Sequence, residues 1–320
     1  MADPQVTIVV VPRERFSYTE RSLESIYEHT TFPFSLIYVD GGSPARIKRY
    51  LQAEAQRKGF QLIRTNHYLP PNRARNIGLR HVKSKYVVFI DNDVLVTPGW
   101  LEPLVQCAEE TGAWVVGPLY LEGELSAQVI HMAGGTVEIK DEQGQRKFMA
   151  KMRLLGKRLP EVTAPLKREQ TDYVEFHCML MQRDVFEQLG PLDEKLFSTR
   201  EHIDVGMTVR QAGGTVYIEP ASVITYLVPE PPIALSDVPF LMLRWSEAWN
   251  QASIEHFQKK WDVRLHDKQL AILRHHRHVL IAPLRRLTNR VFGWRADKIE
   301  RTYVYPLEKA LNRLLIRKAE

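Results

Sequence analysis

The stretch YVVFIDNDV at residues 86–94 predicts both a fold class and a site. Its first five residues are apolar and mostly β-branched or aromatic, which indicates a buried strand. Asp91 and Asp93 follow, and alternation along an extended backbone points both carboxylates the same way, with Asn92 opposite. Neighbouring carboxylates cost on the order of several kcal/mol unless a cation or hydrogen-bond donors compensate them. Mg²⁺ or Mn²⁺ meets that need, so we predict a divalent metal on Asp91 and Asp93.

Short β-branched runs alternate with helical patterns on both sides of this stretch. The predicted strands lie at 6–11, 34–39, 60–65, 86–91 and 114–118, and helices lie between them, for example at 19–29 and 72–82. Strands that alternate with helices of this length imply βαβ units. We therefore predict an α/β fold with a mainly parallel sheet flanked by helices. Ligands bind such sheets at the carboxyl ends of the strands.

The composition fits one large globular unit of 320 residues with reduced cysteines. Cys107 and Cys178 both lie in apolar runs, which indicates buried thiols and a reducing compartment. No apolar run approaches the ~20 residues that cross a bilayer. The apolar run at 6–11 is too short for a signal peptide, so we expect a cytoplasmic protein.

The net charge of +6 is unevenly distributed. From Ala271 to the end, twelve Lys and Arg against four Asp and Glu give +8, which leaves −2 for the rest. The predicted helices of this tail are basic and amphipathic. Such helices lie on anionic lipid or pack on the core, and we favour peripheral contact with the inner face of the membrane. No nucleic-acid motif accompanies the tail, so nucleic acid is not an expected partner.

Two further clusters follow predicted strands. Asp40, in YVDGGSP, is placed to accept hydrogen bonds from a nucleobase or a ribose, although on this signal alone an ordinary Asp-Gly turn is the better explanation. Arg75 and Asn76, in NRARNIGL, are placed to bind a diphosphate and a base or ribose. The alternative is a solvated basic helix face, which the small residues Ala74 and Gly78 disfavour.

The stretch STREHIDVG at 198–206 places Glu201, His202 and Asp204 in the first turn of an amphipathic helix. Helix capping explains one acidic residue there, but it does not explain the histidine. An imidazole has a pKa suited to proton transfer near neutrality. The catalytic base is therefore predicted among these three residues.

These segments together resemble the family-2 glycosyltransferases, which have the GT-A fold and include bacterial polysaccharide and glycolipid enzymes. The resemblance covers residues 5 to 227, with 140–170 unmatched, and rests on VTIVVVP, YVDGGS, NRARNIGL, YVVFIDND and the run from Phe176 to Pro220. It implies a metal-dependent transfer from a nucleotide sugar, UDP-sugar by default, to a glycan or lipid-linked hydroxyl, with inversion. The residues that would contact the nucleotide sugar are Pro12, Asp40, Arg75, Asn76, Asp91 and Asn92.

The chain departs from the family pattern at two positions. The acidic pair that opens the catalytic helix in the family reads Glu201-His202 here, so the base stays open among Glu201, His202 and Asp204. The histidine that often completes the metal site after the next strand is missing from SVITY, which leaves Thr225, Tyr226 or a more distant residue such as His131. The alternatives are a nucleotidyltransferase and a catalytically degenerate sugar-nucleotide binder.

The same pattern predicts a division into segments. We expect a GT-A domain over 1–227, with a nucleotide-binding half at 1–118 and an acceptor and catalytic half at 119–227. Residues 140–170 are polar and basic, and we expect a mobile loop there. A proline-rich break at 228–233 then leads to a helical, basic C-terminal extension over 228–320.

Overall fold

The structure is a computed structural model of the chain. It describes residues 4–228 and 233–265, and then 290–299, 302–303, 306–307, 310–311 and 313–314. Within these residues ten strands form one large sheet, and three others form a small one. The large sheet contains β1 (Val6–Val11), β2 (Phe34–Gly41), β3 (Gln61–Thr65), β4 (Tyr86–Asp91), β5 (Val94–Val96), β6 (Val115–Glu122), β7 (Val129–Met132), β10 (Glu169–Thr171), β11 (Cys178–Gln182) and β12 (Val216–Tyr226).

The strand order along the large sheet is β10-β12-β6-β11-β4-β1-β2-β3, with β5 paired to β12 and β7 to β6. Strands β4, β1, β2 and β3 are parallel, as are β6 and β12, whereas β11 runs antiparallel between β4 and β6. This arrangement confirms the predicted α/β class. The runs VTIVVV and YVVFID are buried throughout, because helices or other elements cover both faces of a parallel sheet.

Helices connect and cover these strands. The described helices are α1 (Thr19–His29), α2 (Ala45–Lys58), α3 (Pro71–Leu79), α4 (Leu101–Thr111), α5 (Val185–Leu189), α6 (Glu201–Gln211), α7 (Val238–Arg244), α8 (Glu247–Trp261) and α9 (Ala296–Ile299). Helix α3 packs closely on β1 because Gly78 has no side chain. A Cβ at this position would lie 2.3 Å from Cγ1 of Val9. This approach brings the start of α3 to the carboxyl ends of β1 and β4.

Residues 140–170 are not the extended loop that the polar sequence predicted. Strands β8 (Gly135–Glu142) and β9 (Gln145–Met152) form an antiparallel hairpin across this region, and β13 (Arg264–Leu265) pairs with β9. A short 3-10 turn at Leu159–Glu161 and strand β10 follow. The apolar residues that face inward along the hairpin, Phe148 among them, belong to the main core.

The described part of the C-terminal segment packs on the sheet domain. In α7 and the turn before it, Asp237 accepts hydrogen bonds from the backbone N–H groups of Phe16 and Ser17. In α8, Ser253 accepts a hydrogen bond from the N–H of Ser198, just before α6. Residues 233–265 are therefore built into the same packed unit as residues 4–228. Most of the predicted basic tail lies outside the described residues. Within them, no helix is both long and apolar enough to cross a bilayer.

Candidate active site

A cluster of two carboxylates and one imidazole lies at the carboxyl end of β4. Asp91 ends β4, Asp93 follows it, and the backbone N–H of Asp91 donates to the carbonyl of His177, which directly precedes β11. The three side chains are buried, and one ligand atom from each lies within 4.8 Å of the others. The predicted convergence of Asp91 and Asp93 is therefore present, and His177 joins them from the antiparallel strand.

Several polar atoms of this cluster are buried without a hydrogen-bond partner. They are both carboxylate oxygens of Asp93, Oδ2 of Asp91 and Nδ1 of His177, the last two being 3.2 Å apart. Buried carboxylates without partners are costly, so proteins normally pair them or use them to coordinate metal. Two carboxylates and a neutral imidazole are a donor set that fits a divalent cation.

The two aspartates have opposite electrostatic environments. Burial would raise the pKa of Asp91, but Arg75, His177 and Arg13 outweigh it and hold this pKa at about 2. Burial and the charges of Asp91 and Glu14 raise the pKa of Asp93 well above its ordinary value. The charge on Asp93 is thus the one that a bound cation would stabilise most. Burial also lowers the pKa of His177 to about 4, so its imidazole is neutral near pH 7.

Arg13, at the end of β1, lies among carboxylates from three elements. Its Nε is 3.6 Å from Oδ2 of Asp91 and 3.8 Å from Oε1 of Glu14, and its Nη1 is 3.8 Å from Oε1 of Glu201. These carboxylates raise the pKa of Arg13 despite its burial. Tyr226 donates a 2.9 Å hydrogen bond to Glu14. A guanidinium in this position is suited to bind the oxygens of a diphosphate.

Glu201 opens α6 and is held by an arginine from α7. Oε1 of Glu201 is 3.2 Å from Nη2 of Arg244, and Nη1 of Arg244 donates to the carbonyl of Ser198. Oε2 of Glu201 is buried without a hydrogen-bond partner. Burial would raise the pKa of Glu201, but Arg244, Arg13 and His202 outweigh it and lower this pKa. Glu201 is therefore an ionised carboxylate fixed by charge.

His202 is paired with Glu175, a buried carboxylate that precedes β11. Nε2 of His202 lies 3.2 Å from Oε1 of Glu175. Burial would raise the pKa of Glu175, but His202, His177 and His131 hold it at about 2, so Glu175 is ionised. Burial lowers the pKa of His202, although Glu175 and Glu201 oppose this effect. A neutral imidazole oriented by a carboxylate is the arrangement of a general base.

Asp204 does not lie with the other two residues of its helical turn. Its Oδ1 accepts from the indole N–H of Trp261 at 2.8 Å, and its Oδ2 from Lys260 at 2.7 Å, both in α8. It does not line the cavity beside Glu201 and His202. Asp204 lies two residues after His202, which is roughly 200° around the helix, so its side chain points away from the cavity and joins α6 to α8.

Asp40 lies at the end of β2, as predicted, in a turn that uses both of its oxygens. Oδ1 accepts from the N–H of Ser43 at 2.9 Å, and Oδ2 accepts from the hydroxyl of Ser43 and from Arg64. Gly41 brings β2 close to β1, since a Cβ there would lie 3.1 Å from Cγ of Pro12. The contacts of Asp40 and Pro12 with a nucleotide remain predictions.

Arg75 lies inside the site, whereas Asn76 does not reach it. Arg75 is fully buried, donates to Oδ1 of Asp91 at 2.9 Å and lies 3.8 Å from the ring centroid of Phe176. The amide of Asn76 instead donates to the carbonyl of Leu192 and accepts from the N–H of the same residue. The side chain of Asn76 therefore holds the segment after α5 against α3.

The side chain of Asn92 is hydrogen-bonded within the protein. Its Nδ2 donates to the carbonyl of Arg15 and to the hydroxyl of Thr19, and its Oδ1 accepts from the N–H of Arg13. The amide is buried and engaged at both ends, so it fixes the β1–α1 connection that carries Arg13.

Thr225, Tyr226 and His131 each have another partner. Thr225 donates to the carbonyl of Gly123, and Nδ1 of His131 lies 3.1 Å from Glu122. The ring of Tyr226 stacks on that of His177 with centroids 4.0 Å apart. The histidine that completes the acidic pair is therefore His177, and Tyr226 and His131 pack around it.

A cavity of about 450 Å³ opens onto these groups. One wall carries Arg13, His177 and Tyr226, and the other carries the start of α6 at 198–203. Residues 150–152 at the end of β9 and Trp245 after α7 complete the lining. The cavity thus connects His177 of the acidic cluster with Glu201, His202 and Glu175.

The sheet is mainly parallel, an acidic pair lies at the end of its fourth strand, and an acidic helix start lies across the cavity. This arrangement is that of a GT-A glycosyltransferase. A sequence model of glycosyl transferase family 2 matches residues 7–190, more than half of the chain. The chain belongs to this family and not to the nucleotidyltransferases.

Individual relatives and solved structures agree with this assignment. Human polypeptide N-acetylgalactosaminyltransferase 18 is 24% identical over 84% of this chain and 46% of its own length. The O-antigen biosynthesis protein RfbC of Myxococcus xanthus is 24% identical over 66% of this chain and 16% of its own length. The chain thus spans less than half the length of either protein.

Two solved structures share the fold at low identity. GalNAc-T7 with UDP, GalNAc and Mn²⁺ has a TM-score of 0.57 and 15% identity, over 80% of this chain and 50% of that chain. The mannosyltransferase PcManGT from Pyrobaculum calidifontis, in complex with GDP-Man and Mn²⁺, has a TM-score of 0.54 and 15% identity, over 100% of this chain and 87% of that chain.

Proposed function

We propose that the enzyme transfers a glycosyl group from a nucleoside diphosphate sugar to an acceptor hydroxyl with the help of a divalent metal held by Asp91, Asp93 and His177. The observation that carries this proposal is the buried, unpaired set of ligand atoms on these three residues, of which His177 lines the cavity. The carboxylates suit Mg²⁺ or Mn²⁺, and the imidazole favours Mn²⁺ of the two. The metal would supply positive charge to the diphosphate leaving group.

Arg13 and Arg75 complete the positive charge at this position. Arg75 is fixed by Asp91, whereas Arg13 is at distances of 3.6–3.8 Å from its carboxylates, longer than hydrogen bonds. We assign Arg13 to the diphosphate, because none of its three ion pairs is a hydrogen bond. Fixed cations aimed at the leaving group lower the free energy of the transition state.

His202 is the proposed base, with Glu175 as its positioning residue. The carboxylate of Glu175 faces Nε2 of His202, which places the proton of the neutral imidazole on Nε2 and leaves Nδ1 to accept one. In a single displacement the acceptor oxygen bonds the anomeric carbon as the bond to the diphosphate breaks. The acceptor proton moves to His202, and the anomeric configuration is inverted. Glu201 is ionised and held by Arg244, so we assign it to orient the acceptor.

The donor nucleotide is proposed to be UDP, bound at the ends of β1 and β2 near Pro12 and Asp40. Of the two similar solved structures, that of GalNAc-T7 contains UDP and that of PcManGT contains GDP-Man. The experiment below therefore compares UDP-sugars with GDP-sugars directly. The acceptor is proposed to be a glycan or a lipid-linked intermediate, in line with the role that RfbC is named for.

The experiment that tests this proposal is thermal melting of the protein with UDP-, GDP-, dTDP- and CMP-sugars, in Mn²⁺, Mg²⁺ or EDTA. Ligand at 100 times its dissociation constant stabilises the fold by about 2.7 kcal/mol, which is readily measured as a rise in melting temperature. We expect a rise with UDP-sugars that requires Mn²⁺. No rise with any nucleotide sugar in either metal would contradict the proposal, and it would contradict the degenerate sugar-nucleotide binder as well.

We further propose that the C-terminal tail contacts an anionic membrane surface. Among the described residues beyond 290, several large apolar side chains are exposed, namely Val291, Phe292, Trp294, Tyr303, Leu307, Leu311 and Leu314. Together with the net charge of +8 from Ala271 onward, these residues have the composition of an interfacial amphipathic segment.

A further inference from the structure

Arg200 stands out among the residues that line the cavity, because its backbone is in the left-handed region. It precedes α6 with φ 72° and ψ −2°, although it carries a side chain. A residue with a Cβ pays on the order of 1 kcal/mol for this conformation, whereas glycine adopts it freely. An arginine at such a position indicates that its side chain contributes something that glycine would lose.

The guanidinium of Arg200 has no partner among the described residues. Its Nε is buried without a hydrogen bond, and no carboxylate lies within 4.0 Å of the side chain in the described parts of the chain. The three other arginines of the site, Arg13, Arg75 and Arg244, each have a carboxylate within that distance. Burial lowers the pKa of Arg200, and Tyr173, Glu201 and Glu175 offset this only in part.

Arg200 lies on the acceptor side of the cavity, two residues from the proposed base. Tyr173 and Trp245 line the same space, and both are buried. Lys151 of β9 lines it too, but its ammonium is 3.7 Å from Glu138. An aromatic lining with a few placed polar groups is typical of ligand sites. On this wall, Arg200 is the charged side chain whose hydrogen-bond donors a bound ligand would pair with.

Building on the proposed function, we infer that Arg200 binds an anionic group of the acceptor, a carboxylate or a phosphate, so that the acceptor is an acidic rather than a neutral saccharide. A planar guanidinium binds either group through two parallel hydrogen bonds, which fixes orientation as well as charge. The acceptor hydroxyl would then be directed toward His202, because both side chains project from the same helix start. The acidic group would also be the feature that excludes neutral sugars.

The test uses three probes that differ in the group at C6, which is neutral in the first and anionic in the others: methyl glucoside, methyl glucuronide and methyl glucoside 6-phosphate. Saturation-transfer NMR measures their binding to wild type, to Arg200→Gly and to Arg210→Gln, an exposed control on the same helix whose partner is Asp172. Glycine suits the left-handed backbone, so the Arg200→Gly variant should melt no lower than wild type. We expect at least one anionic probe to bind wild type about tenfold more tightly than methyl glucoside. This preference should vanish in Arg200→Gly and persist in Arg210→Gln.

The two anionic probes distinguish the source of the charge. A preference for the glucuronide indicates an acidic glycan, and a preference for the phosphate indicates a phosphate-bearing acceptor. Equal or undetectable binding of all three probes to wild type would overturn the inference, as would a preference that survives in Arg200→Gly. Nucleotide-sugar melting shifts in the same proteins test the proposed function separately, because donor binding does not depend on Arg200.

Discussion

Asp93 is predicted to bind the metal and, for the same reasons, to destabilise the metal-free protein. Both of its oxygens are buried and unpaired, and its pKa is raised by burial and by Asp91 and Glu14. Since the folded pKa lies above the unfolded one, the ionised carboxylate destabilises the folded protein near pH 7. We expect Asp93→Asn to raise the free energy of unfolding of the metal-free protein by about 1–3 kcal/mol. The same change should abolish the rise in melting temperature that Mn²⁺ produces.

Melting curves in EDTA and in Mn²⁺ measure both effects. Asp262→Asn is the matched control, because Asp262 is exposed and its left-handed backbone conformation, φ 51°, is one that asparagine also adopts. This control should leave the response to Mn²⁺ unchanged. If Asp93→Asn retained a wild-type response to Mn²⁺, Asp93 would not be a metal ligand.

His202 gives the site a pH dependence whose direction follows from its neighbours. Burial lowers its pKa below the ordinary 6.5, and Arg13 and Arg200 act in the same direction, whereas Glu175 and Glu201 act against it. The ring of Tyr173 also faces it, with centroids 5.6 Å apart. The imidazole is therefore neutral at pH 7, and kcat/KM should stay level as the pH falls through 6.5 and decline only below it.

The variant Glu175→Gln tests whether Glu175 positions the imidazole of His202 or only stabilises the fold. The variant loses a charge that raises the pKa of His202, so the acid limb of kcat/KM should move to lower pH. The turnover number should fall about tenfold, since the amide holds the imidazole less firmly, and His202→Ala should lose roughly 10²–10⁴-fold. An acid limb that stayed in place in Glu175→Gln would contradict the pairing.

The sequence predicted those site residues that local spacing places together, and it missed those that the fold brings from a distance. Asp91 ends β4 and Asp93 lies two positions further, in the turn before β5, so their spacing was sufficient to predict that they lie close together. His177 is 86 positions from Asp91 and enters only because β11 runs antiparallel beside β4. Glu14, Glu175 and Arg244 were missed for the same reason. The only local signal for His177 was a polar residue beside the apolar strand CMLM.

At the level of elements, buried parallel strands were predictable and the exposed hairpin was not. The core strands are continuous runs of Val, Ile and Phe, whereas β8 and β9 are largely charged and read as loop. Their turn did carry a signal, since Gln143 and Gly144 both have positive φ between the paired Glu142 and Gln145. A polar residue followed by glycine is typical of such two-residue hairpin turns.

The contact between α6 and α8 predicts that Asp204 stabilises the fold without taking part in catalysis. Asp204→Ala would leave the half-buried indole N–H of Trp261 without an acceptor and Lys260 without this carboxylate. We expect the free energy of unfolding to fall by about 1–3 kcal/mol. The turnover number at 25 °C should stay within about twofold of wild type, because Asp204 lies outside the cavity.

Urea unfolding and initial rates on the same preparation check both parts. Asp184→Ala, an exposed aspartate at the start of α5, serves as the control and should change neither quantity. A loss of turnover in Asp204→Ala comparable to that of His202→Ala would return Asp204 to the candidates for the base.

We expect the whole molecule to divide after Leu265 and not at the proline-rich break that the sequence suggested. Arg244 holds Glu201, Asp237 caps the loop that carries Arg13, and β13 pairs with β9. Residues 233–265 therefore complete the catalytic unit. Truncation after Leu265 should retain cooperative melting and the nucleotide-sugar shift. Truncation after Val228 should lose both, because Glu201 would lose its buried cation and the β1–α1 loop its acceptor. Retained donor binding in the shorter protein would refute this division.

The tail beyond Leu265 can then be tested as a membrane contact without disturbing the site. Exposed apolar side chains such as Trp294, which is 87% exposed, would enter the lipid interface while basic residues attract anionic headgroups. The full chain should sediment with vesicles containing phosphatidylglycerol, less so with phosphatidylcholine vesicles, and less so again at high salt. Trp294→Ala should weaken this binding, and truncation after Leu265 should remove it. If the truncated protein bound the anionic vesicles as well as the full chain, the contact would have to lie on the catalytic unit instead.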